Sequence, residues 1–246
     1  MRGTCAWDVA RCTFKRCAFN VERSPFNVTC CTFPASVMAE RVDDLREGGP
    51  ENAESAPRFI HRYGVGMGMD ELDVLHDVTA RLEEVGIPYM LTGSMAMNYY
   101  AEPRMTRDID LVVDLEQSEV PRLASSFQSD YHMSRTAVRD AVQRRSMFNL
   151  IHRESVLKID FVLRKRTRYR EVEFDRRRCV QLGAAEVYVV RKEDLIISKI
   201  AWAEDSRSEV QKRDVRNLMA TGCDEDYLEH WLKELDLHDF ADSWLE

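Results

Sequence analysis

The sequence has few of the features that mark membrane, fibrous or secreted proteins. No run approaches the roughly 18 uninterrupted apolar residues that a membrane-spanning helix needs, which excludes a transmembrane protein. Glycine (10 of 246 residues) and proline (7) are too scarce for a collagen-like or low-complexity chain. The opening residues contain no apolar segment typical of a secretory signal peptide. We therefore expect a globular protein that does not contact a membrane.

The seven cysteines follow no disulfide or zinc-site pattern. Five lie within the first 31 residues, and only Cys179 and Cys223 lie beyond them. An odd number of cysteines placed in this way does not predict a secreted disulfide framework. A zinc ribbon or finger would need two close pairs of ligands. We therefore expect a chain that resides in the reducing cytoplasm.

The net charge of −8 disfavours a protein that coats nucleic acid over its whole surface. However, residues 135–178 contain fourteen Arg or Lys and six Asp or Glu, so this segment carries +8 and the rest of the chain −16. Such a basic segment is typical of a surface for a polyanion such as tRNA. Its stretch 161–174 alternates aromatic and basic residues, which suits stacking on unpaired bases. The alternative is a basic face that docks onto an acidic partner or onto the acidic C-terminal helices.

Residues 1–66 differ from the rest of the chain. Their apolar residues follow no sustained helix or strand period, and residues 48–57 (GGPENAESAP) have the composition of a linker. We interpret 1–66 as a disordered or non-native extension, with a short helix at 36–47 as the alternative. The remainder is predicted to form a core at 67–190 and a helical region at 191–246.

The periodicity after residue 67 predicts an α/β (α+β) fold, with a sheet core followed by a helical tail. The first helix starts at Asp70, which can cap it, and ends at Gly86. Strands are predicted at 87–93, 108–114, 146–152, 156–163 and 186–190, and further helices at 94–102, 117–128, 134–145, 192–203, 206–220, 224–235 and 237–244.

Two carboxylates, Asp108 and Asp110, interrupt the start of an apolar strand. Residues two apart on a strand point the same way, so both carboxylates emerge from one face. They repel each other unless a cation lies between them, and hard oxygen ligands suit Mg²⁺ or Mn²⁺. The alternative is a pair of solvated aspartates at a strand end.

Gly93 and Ser94 close the preceding strand and open a short helix. Glycine allows a close backbone approach, and free amides at a helix start favour a phosphate. The alternative is that Ser94 is an ordinary helix cap. Because Asp108 and Asp110 follow shortly afterwards, the spacing predicts a phosphate site and a metal site on neighbouring strands.

A third acid, Asp160, interrupts the apolar strand at 156–163. An unpaired carboxylate there would be costly, and its neighbours Ile159 and Phe161 are expected to face the core on the opposite side. We interpret Asp160 as the third acid of the same site. A salt bridge to a nearby arginine is the alternative.

Residues 91–115 resemble the motif of the polymerase-β-type nucleotidyltransferase superfamily, which is an apolar strand, Gly-Ser, a short helix and Asp-x-Asp. The finer pattern is similar to AbiEii-like abortive-infection toxins and related bacterial nucleotidyltransferases. The matching residues are Gly93, Ser94, Ala96, Tyr100, Pro103, Arg104, Thr106, Asp108, Ile109, Asp110 and Leu111. A looser resemblance at 193–218 covers that family's functional lysine and aspartate, here Lys199 and Asp214. One departure is Asn217, where an aspartate is common in the family.

The resemblance implies a mixed sheet and a set of site roles. The triphosphate would bind at Gly93 and Ser94, with Arg104, Arg107 and Lys199 as further nucleotide-binding residues. Mg²⁺ or Mn²⁺ would be held by Asp108, Asp110 and Asp160. Together with Lys199 and Asp214, these three acids would form the catalytic set.

The implied reaction transfers a nucleoside monophosphate from a nucleoside triphosphate to a hydroxyl acceptor and releases pyrophosphate. One candidate acceptor is tRNA, with the protein acting as the toxin of a toxin–antitoxin pair. Transfer to a small molecule such as an antibiotic, and an inert nucleotide-binding scaffold, are the alternatives. Most of the tryptophans on the C-terminal helices (Trp202, Trp231 and Trp244) are expected in the core, with an exposed one available to a partner such as an antitoxin.

Overall fold

The structure, a computed structural model, describes residues 69–106 and 108–245. The predicted extension at 1–66 and the alternative helix at 36–47 lie outside the described residues. Within the described residues there are seven strands, which are β1 (Tyr89–Thr92), β2 (Asp108–Val113), β3 (Tyr131–His132), β4 (Met147–His152), β5 (Lys158–Leu163), β6 (Arg178–Leu182) and β7 (Ala185–Val189). They form one mixed sheet in the order β3-β4-β5-β2-β1-β7-β6.

Nine α-helices accompany the sheet in the same described ranges. They are α1 (Met69–Glu84), α2 (Gly93–Tyr100), α3 (Val120–Phe127), α4 (Arg135–Arg144), α5 (Arg168–Asp175), α6 (Lys192–Ser206), α7 (Glu209–Met219), α8 (Glu225–Glu234) and α9 (His238–Leu245). The mixed sheet, the flanking helices and the helical C-terminal region confirm the predicted α+β class. No helix in these ranges has the length and apolar character needed to cross a bilayer.

The centre of the sheet is built from alternate apolar positions of β2 and β5. Ile109, Leu111 and Val113 on β2 are buried, while the residues between them face the other side. On β5 the buried apolar residues are Ile159, Phe161 and Leu163, also on alternate positions, and Asp160 between them is buried as well. The two strands pair in parallel, with Asp110 opposite Asp160. One face of this strand pair therefore builds the core, and the other presents carboxylates.

The strands predicted at 146–152 and 156–163 are confirmed as β4 and β5, which pair in antiparallel register. The motif strands are also adjacent, since β1 pairs with β2 and places Thr92 opposite Asp110. Helix α2 connects them, so its first turn lies at the same end of the sheet as the acids. The short helix is thus the element that brings the predicted phosphate site to the predicted metal site.

Helix α5 and strand β6 were not predicted. Helix α5 buries Tyr169, Glu173 and Phe174, so one of its three inward positions is a carboxylate and the apolar period is hidden. Strand β6 lies at the sheet edge and is only half-buried, which leaves little alternation to detect.

Burial in α5 also changes the interpretation of the basic segment. Tyr169 and Phe174 are 3% exposed and Phe161 is fully buried, so these rings are not available to stack on unpaired bases. The aromatic interleaving of 161–174 is therefore a core pattern, and the prediction of base stacking by these residues is wrong.

The central strand should dominate stability. Leu111 is fully buried on β2, and its replacement by alanine is expected to lower the free energy of unfolding by about 3 kcal/mol. Val210→Ala, on an exposed position of α7, is the matched control and should change it by less than about 0.5 kcal/mol. Chemical denaturation of both variants measures the difference; equal effects would contradict the placement of β2 at the core.

Candidate functional site

Three carboxylates meet on the face of the sheet that the core does not use. Asp108 and Asp110 lie two residues apart on β2, and Asp160 is the parallel partner of Asp110 on β5. Paired residues of adjacent strands project to the same face. Asp108 is exposed, Asp110 is half-buried and Asp160 is 7% exposed. The structure thus brings together the three acids that the sequence singled out.

The proximity of these acids affects the pKa of Asp110. Burial, together with the negative charges of Asp160 and Asp108, raises the pKa of Asp110 to about 6. Lys199 and Lys158 oppose this shift but do not cancel it. At neutral pH the protein therefore holds repelling carboxylates whose charge is incompletely balanced by its own cations.

Asp160 has one satisfied and one unsatisfied oxygen. Lys158 Nζ donates to Asp160 Oδ2 at 2.6 Å, so the partner is a lysine on the same strand face rather than the arginine of the alternative prediction. The other oxygen, Oδ1, is buried and has no hydrogen-bond partner among the described residues. A buried acceptor without a donor is costly unless a ligand completes it. This oxygen is therefore a free ligand position in the site.

Gly93 allows the start of α2 to approach the acids. Its φ is 65°, and a Cβ atom on it would lie 2.7 Å from Asp110 Cγ and 2.8 Å from Asp110 Cβ. Both the left-handed backbone and the close contact exclude a larger residue. The cap residue Thr92 makes no side-chain hydrogen bond to the first turn of α2. The backbone amide groups of that turn are therefore not occupied by a capping side chain.

Ser94 is not the helix cap of the alternative prediction, since α2 begins at Gly93 with Thr92 as its cap. Its hydroxyl instead accepts a hydrogen bond of 2.6 Å from Arg104 Nη2. Ser94 therefore orients its oxygen within a polar network at the site.

That network joins Arg104, Asp214 and Lys199. The Arg104 guanidinium donates to Asp214 through Nε at 3.0 Å and Nη2 at 2.9 Å, and Lys199 Nζ donates to Asp214 Oδ2 at 2.9 Å. Lys199 also donates to Gln211 Oε1 at 3.1 Å. Two cations share one carboxylate, so the network carries a net positive charge beside the acids.

Burial decides the roles within this network. Asp214 is 1% exposed; burial opposes its ionisation, yet hydrogen bonds from Arg104 and Lys199 outweigh this and lower its pKa. Burial lowers the pKa of Lys199 despite the ion pair. Asp214 therefore holds the two cations in position, whereas Ser94 and Lys199 line the open cleft.

Two further residues of the motifs remain to be placed. Arg107 lies outside the described residues. Asn217, the departure from the family pattern, donates to the backbone oxygen of Glu102 at 3.1 Å and does not line the cleft. It ties α7 to the loop after α2.

A cleft of about 240 Å³ extends from this site over the sheet, between α5, α6 and α7. Its wall contains the predicted Gly93, Ser94, Asp110 and Lys199. The wall residues that the sequence did not indicate include Arg170, Glu173, Ser198, Trp202 and Gln211. The available signal for Ser198 and Trp202 was their helical spacing around Lys199, which puts all three on one side of α6.

Many cations of the basic segment 135–178 are paired within the chain. Arg164 pairs with Asp114 at 2.7 Å, and Arg166 with Glu116. Others reach the acidic helical region, where Arg168 pairs with Glu234 at 3.2 Å and Arg176 with Asp194 at 3.1 Å. The alternative prediction, a basic face docked onto the acidic C-terminal helices, accounts for the contacts of Arg168 and Arg176 only.

The three carboxylates do not form a metal site by themselves. Within residues 69–106 and 108–245, no group of three or more His, Cys, Asp or Glu side chains is placed so that it could hold a metal ion. Mg²⁺ generally takes only one or two carboxylates and completes its shell with water and substrate phosphates. The Asp160 Oδ1 atom has no hydrogen-bond donor among the described residues, and the pKa of Asp110 is raised. Both features fit a site whose ligand shell is completed by a bound substrate.

No family model and no curated protein sequence matches this chain. Several solved structures have a similar backbone. A nucleotidyltransferase-like antigen of Paracoccidioides brasiliensis is 19% identical, covering 64% of this chain and 78% of its own, with a TM-score of 0.43. A lincosamide antibiotic adenylyltransferase solved with lincomycin is 15% identical, covering 64% and 99%, with a TM-score of 0.45.

A CCA-adding enzyme solved with CTP is 15% identical, covering 67% of this chain and 45% of its own, with a TM-score of 0.33. Because these TM-scores are below 0.5, the similarities say nothing about the reaction of this chain. Membership of the AbiEii-like subgroup stays a prediction.

Gly93→Ala should damage the site through contact as well as strain. Gly86→Ala is the matched control, because Gly86 has the same φ of 65° and nothing within 4 Å of an added Cβ. The left-handed strain alone should cost each variant about 1 kcal/mol. Gly93→Ala should cost at least about 2 kcal/mol more, because the new methyl group displaces Asp110. Denaturation curves measure both, and equal losses would contradict the close approach.

Asp110→Asn should stabilise the protein in the absence of divalent cations. The folded pKa of Asp110 lies above its unfolded value, so its ionisation makes unfolding easier as pH rises from about 4 to about 6. The advantage of the variant over the wild type should be about 2 kcal/mol greater at pH 7.5 than at pH 4.5. Thermal unfolding in a chelator measures this.

The control for Asp110→Asn is Asp140→Asn, an exposed carboxylate on α4 that should show no such pH dependence. Adding Mg²⁺ should raise the melting temperature of the wild type more than that of Asp110→Asn. If the stability difference between Asp110→Asn and the wild type did not change with pH, the raised pKa of Asp110 would be contradicted.

Proposed function

We propose that this chain is a Mg²⁺-dependent nucleotidyltransferase that transfers a nucleoside monophosphate from a nucleoside triphosphate to a hydroxyl acceptor. The observation that carries the proposal is the parallel register of Asp110 and Asp160, with a buried unsatisfied Asp160 oxygen, beside the open amide end of α2. Acids that repel each other next to a phosphate-binding helix start fit a site for a polyphosphate and its cation.

The basic groups of the site are suited to hold the phosphates. Backbone amides of the first turn of α2 and the Ser94 hydroxyl would hydrogen-bond phosphate oxygens. Lys199, oriented by Asp214 and Gln211, would neutralise phosphate charge as a compact cation. Arg104, fixed by its two bonds to Asp214, would keep the Ser94 oxygen in place. These contacts would align the α-phosphorus above the carboxylates.

The residues that would hold Mg²⁺ or Mn²⁺ are Asp108, Asp110 and Asp160. A bound divalent ion would supply neutralisation of the triphosphate and stabilisation of charge at the α-phosphorus. The acceptor oxygen would form a bond to the α-phosphorus while the bond to the β-phosphate oxygen breaks, and pyrophosphate would leave. Asp160 Oδ1, which has no donor among the described residues, would take the proton of the attacking hydroxyl.

Two classes of acceptor follow from different observations. The exposed cations Arg135, Arg139 and Arg153, and Lys165 in the cleft wall, favour an RNA acceptor such as tRNA, as in a toxin with a cognate antitoxin. The pairing of Arg164, which also lines the cleft, with Asp114 removes charge and favours a small hydroxyl compound such as an antibiotic.

The test is transfer of label from each of four nucleoside triphosphates labelled at the α-phosphate. The acceptors are total tRNA and a panel of aminoglycoside and lincosamide antibiotics. We expect one class of acceptor to become labelled, with stoichiometric pyrophosphate release that stops in a chelator. Asp108→Asn and Asp110→Asn should each lower turnover by about 100-fold or more.

Asp140→Asn is the matched control for these variants and should keep full turnover, because it removes an exposed carboxylate outside the cleft. Absence of Mg²⁺-dependent pyrophosphate release with every acceptor, while nucleotide still binds, would replace the proposal with the inert nucleotide-binding scaffold. Label on tRNA alone or on an antibiotic alone decides the acceptor class.

A further inference from the structure

Trp202 is an exposed tryptophan in the wall of the cleft. Its exposed fraction is 68%, whereas Trp231 and Trp244 of the C-terminal helices are buried. It lies on α6 three residues after Lys199, and it lines the same cleft as Ser94 and Asp110. A large aromatic face open to solvent beside a phosphate site is suited to stack on a planar ligand group.

A polar cluster of Arg170, Glu173 and Ser198 lies in the same wall. Arg170 Nη1 donates to Glu173 Oε1 at 2.8 Å, Glu173 Oε2 at 2.7 Å and Ser198 Oγ at 2.7 Å. The Ser198 hydroxyl also donates to Glu173 Oε1 at 2.7 Å, and Glu173 is 3% exposed. This cluster fixes the Arg170 guanidinium, and the transfer step proposed above does not use it.

Arg170 keeps part of its donor capacity. All its hydrogen bonds within the described residues run through Nη1, which leaves Nε and Nη2 without an acceptor there. A guanidinium carries five N–H donors in a rigid planar fork. Its free edge can therefore donate two parallel hydrogen bonds to a ligand in the cleft.

The helix geometry brings the two features within reach of one ligand. Ser198 and Trp202 are four residues apart on α6, so their Cβ atoms are neighbours at roughly 6 Å. Long side chains on a helix lean toward its N-terminus, which directs the Trp202 ring back toward the turn of Ser198 and Lys199. Arg170 contacts Ser198 directly. The Trp202 ring, the Arg170 guanidinium and Lys199 therefore surround one part of the cleft.

We propose that this part of the cleft is the subsite for the base of the donor nucleotide, with Trp202 stacking on the base and Arg170 donating to its edge. The inference rests on the proposed function, because a nucleoside triphosphate is the ligand. A two-donor fork selects bases with two adjacent acceptors, which are cytosine (O2 and N3) and guanine (O6 and N7). Adenine and uracil lack such a pair, so CTP or GTP is the expected donor.

Equilibrium binding without an acceptor tests the stacking role. In a Trp7→Phe background, which removes the tryptophan outside the described residues, Mg²⁺-CTP and Mg²⁺-GTP should quench the fluorescence of Trp202. Trp202→Phe should abolish the quenching but keep affinity by calorimetry close to that of the wild type. Trp202→Ala should weaken the affinity by about 5- to 150-fold. Met219→Ala, an exposed apolar residue outside the cleft, is the control and should change nothing.

Base preference tests the role of Arg170. The wild type should bind CTP or GTP about 5- to 150-fold more tightly than ATP and UTP. Arg170→Lys keeps the charge but loses the planar fork, so the four affinities should converge. Thermal unfolding of this variant checks that the cluster with Glu173 still holds α5 in place, and Trp202→Phe provides a second variant that does not disturb the cluster.

Unchanged nucleotide affinity in Trp202→Ala would overturn the proposal, and so would a defect confined to the KM of the acceptor. If Trp202 is quenched by nucleotide but no acceptor is ever labelled, the base subsite stands and the transferase proposal falls. If label is transferred while Trp202 neither quenches nor affects affinity, the transferase proposal stands and the base subsite falls.

Discussion

The repulsion between carboxylates on two parallel strands is the constraint on which the rest of the site depends. Asp110 and Asp160 are opposite each other in the β2–β5 pair, and burial together with the charges of Asp160 and Asp108 raises the pKa of Asp110 to about 6. A fold stores such a cost at a functional site when a ligand relieves it. The partnerless Asp160 Oδ1 marks the same place.

The surrounding elements keep the acids close together and open to a ligand. Gly93 lets the start of α2 pass against Asp110, where any side chain would collide. Asp214 sets Arg104 and Lys199 beside the acids without being reachable itself, since its carboxylate is almost fully buried. Breaking such a buried ion pair on one side is costly, so the cations have little freedom to move. The site therefore has an acidic side, formed by the carboxylates of β2 and β5, and a basic side, formed by Arg104 and Lys199.

Most of the fold could be predicted from the local sequence pattern. The apolar residues of β2 and β5, and the apolar stripe of α1, specify elements that the structure confirms. Helix α5 could not be predicted in this way because Glu173, one of its buried positions, is a carboxylate. Its burial is compensated by Arg170 and Ser198, and Ser198 lies on a different element. A contact between elements distant in the chain leaves no local period in the sequence.

The sequence by itself determined which residue types are available for chemistry: two acids two apart on a strand, a Gly-Ser helix start, and a third acid in an apolar run. These follow from the alternation of side chains along a strand and from the conformational freedom of glycine, which are local properties. Only the tertiary structure decided that Lys158 is the partner of Asp160, that the aromatics of the basic segment are core, and that Trp202 faces the cleft. Those outcomes depend on strand register and on how helices pack over the sheet, and both are set by contacts between residues far apart in the chain.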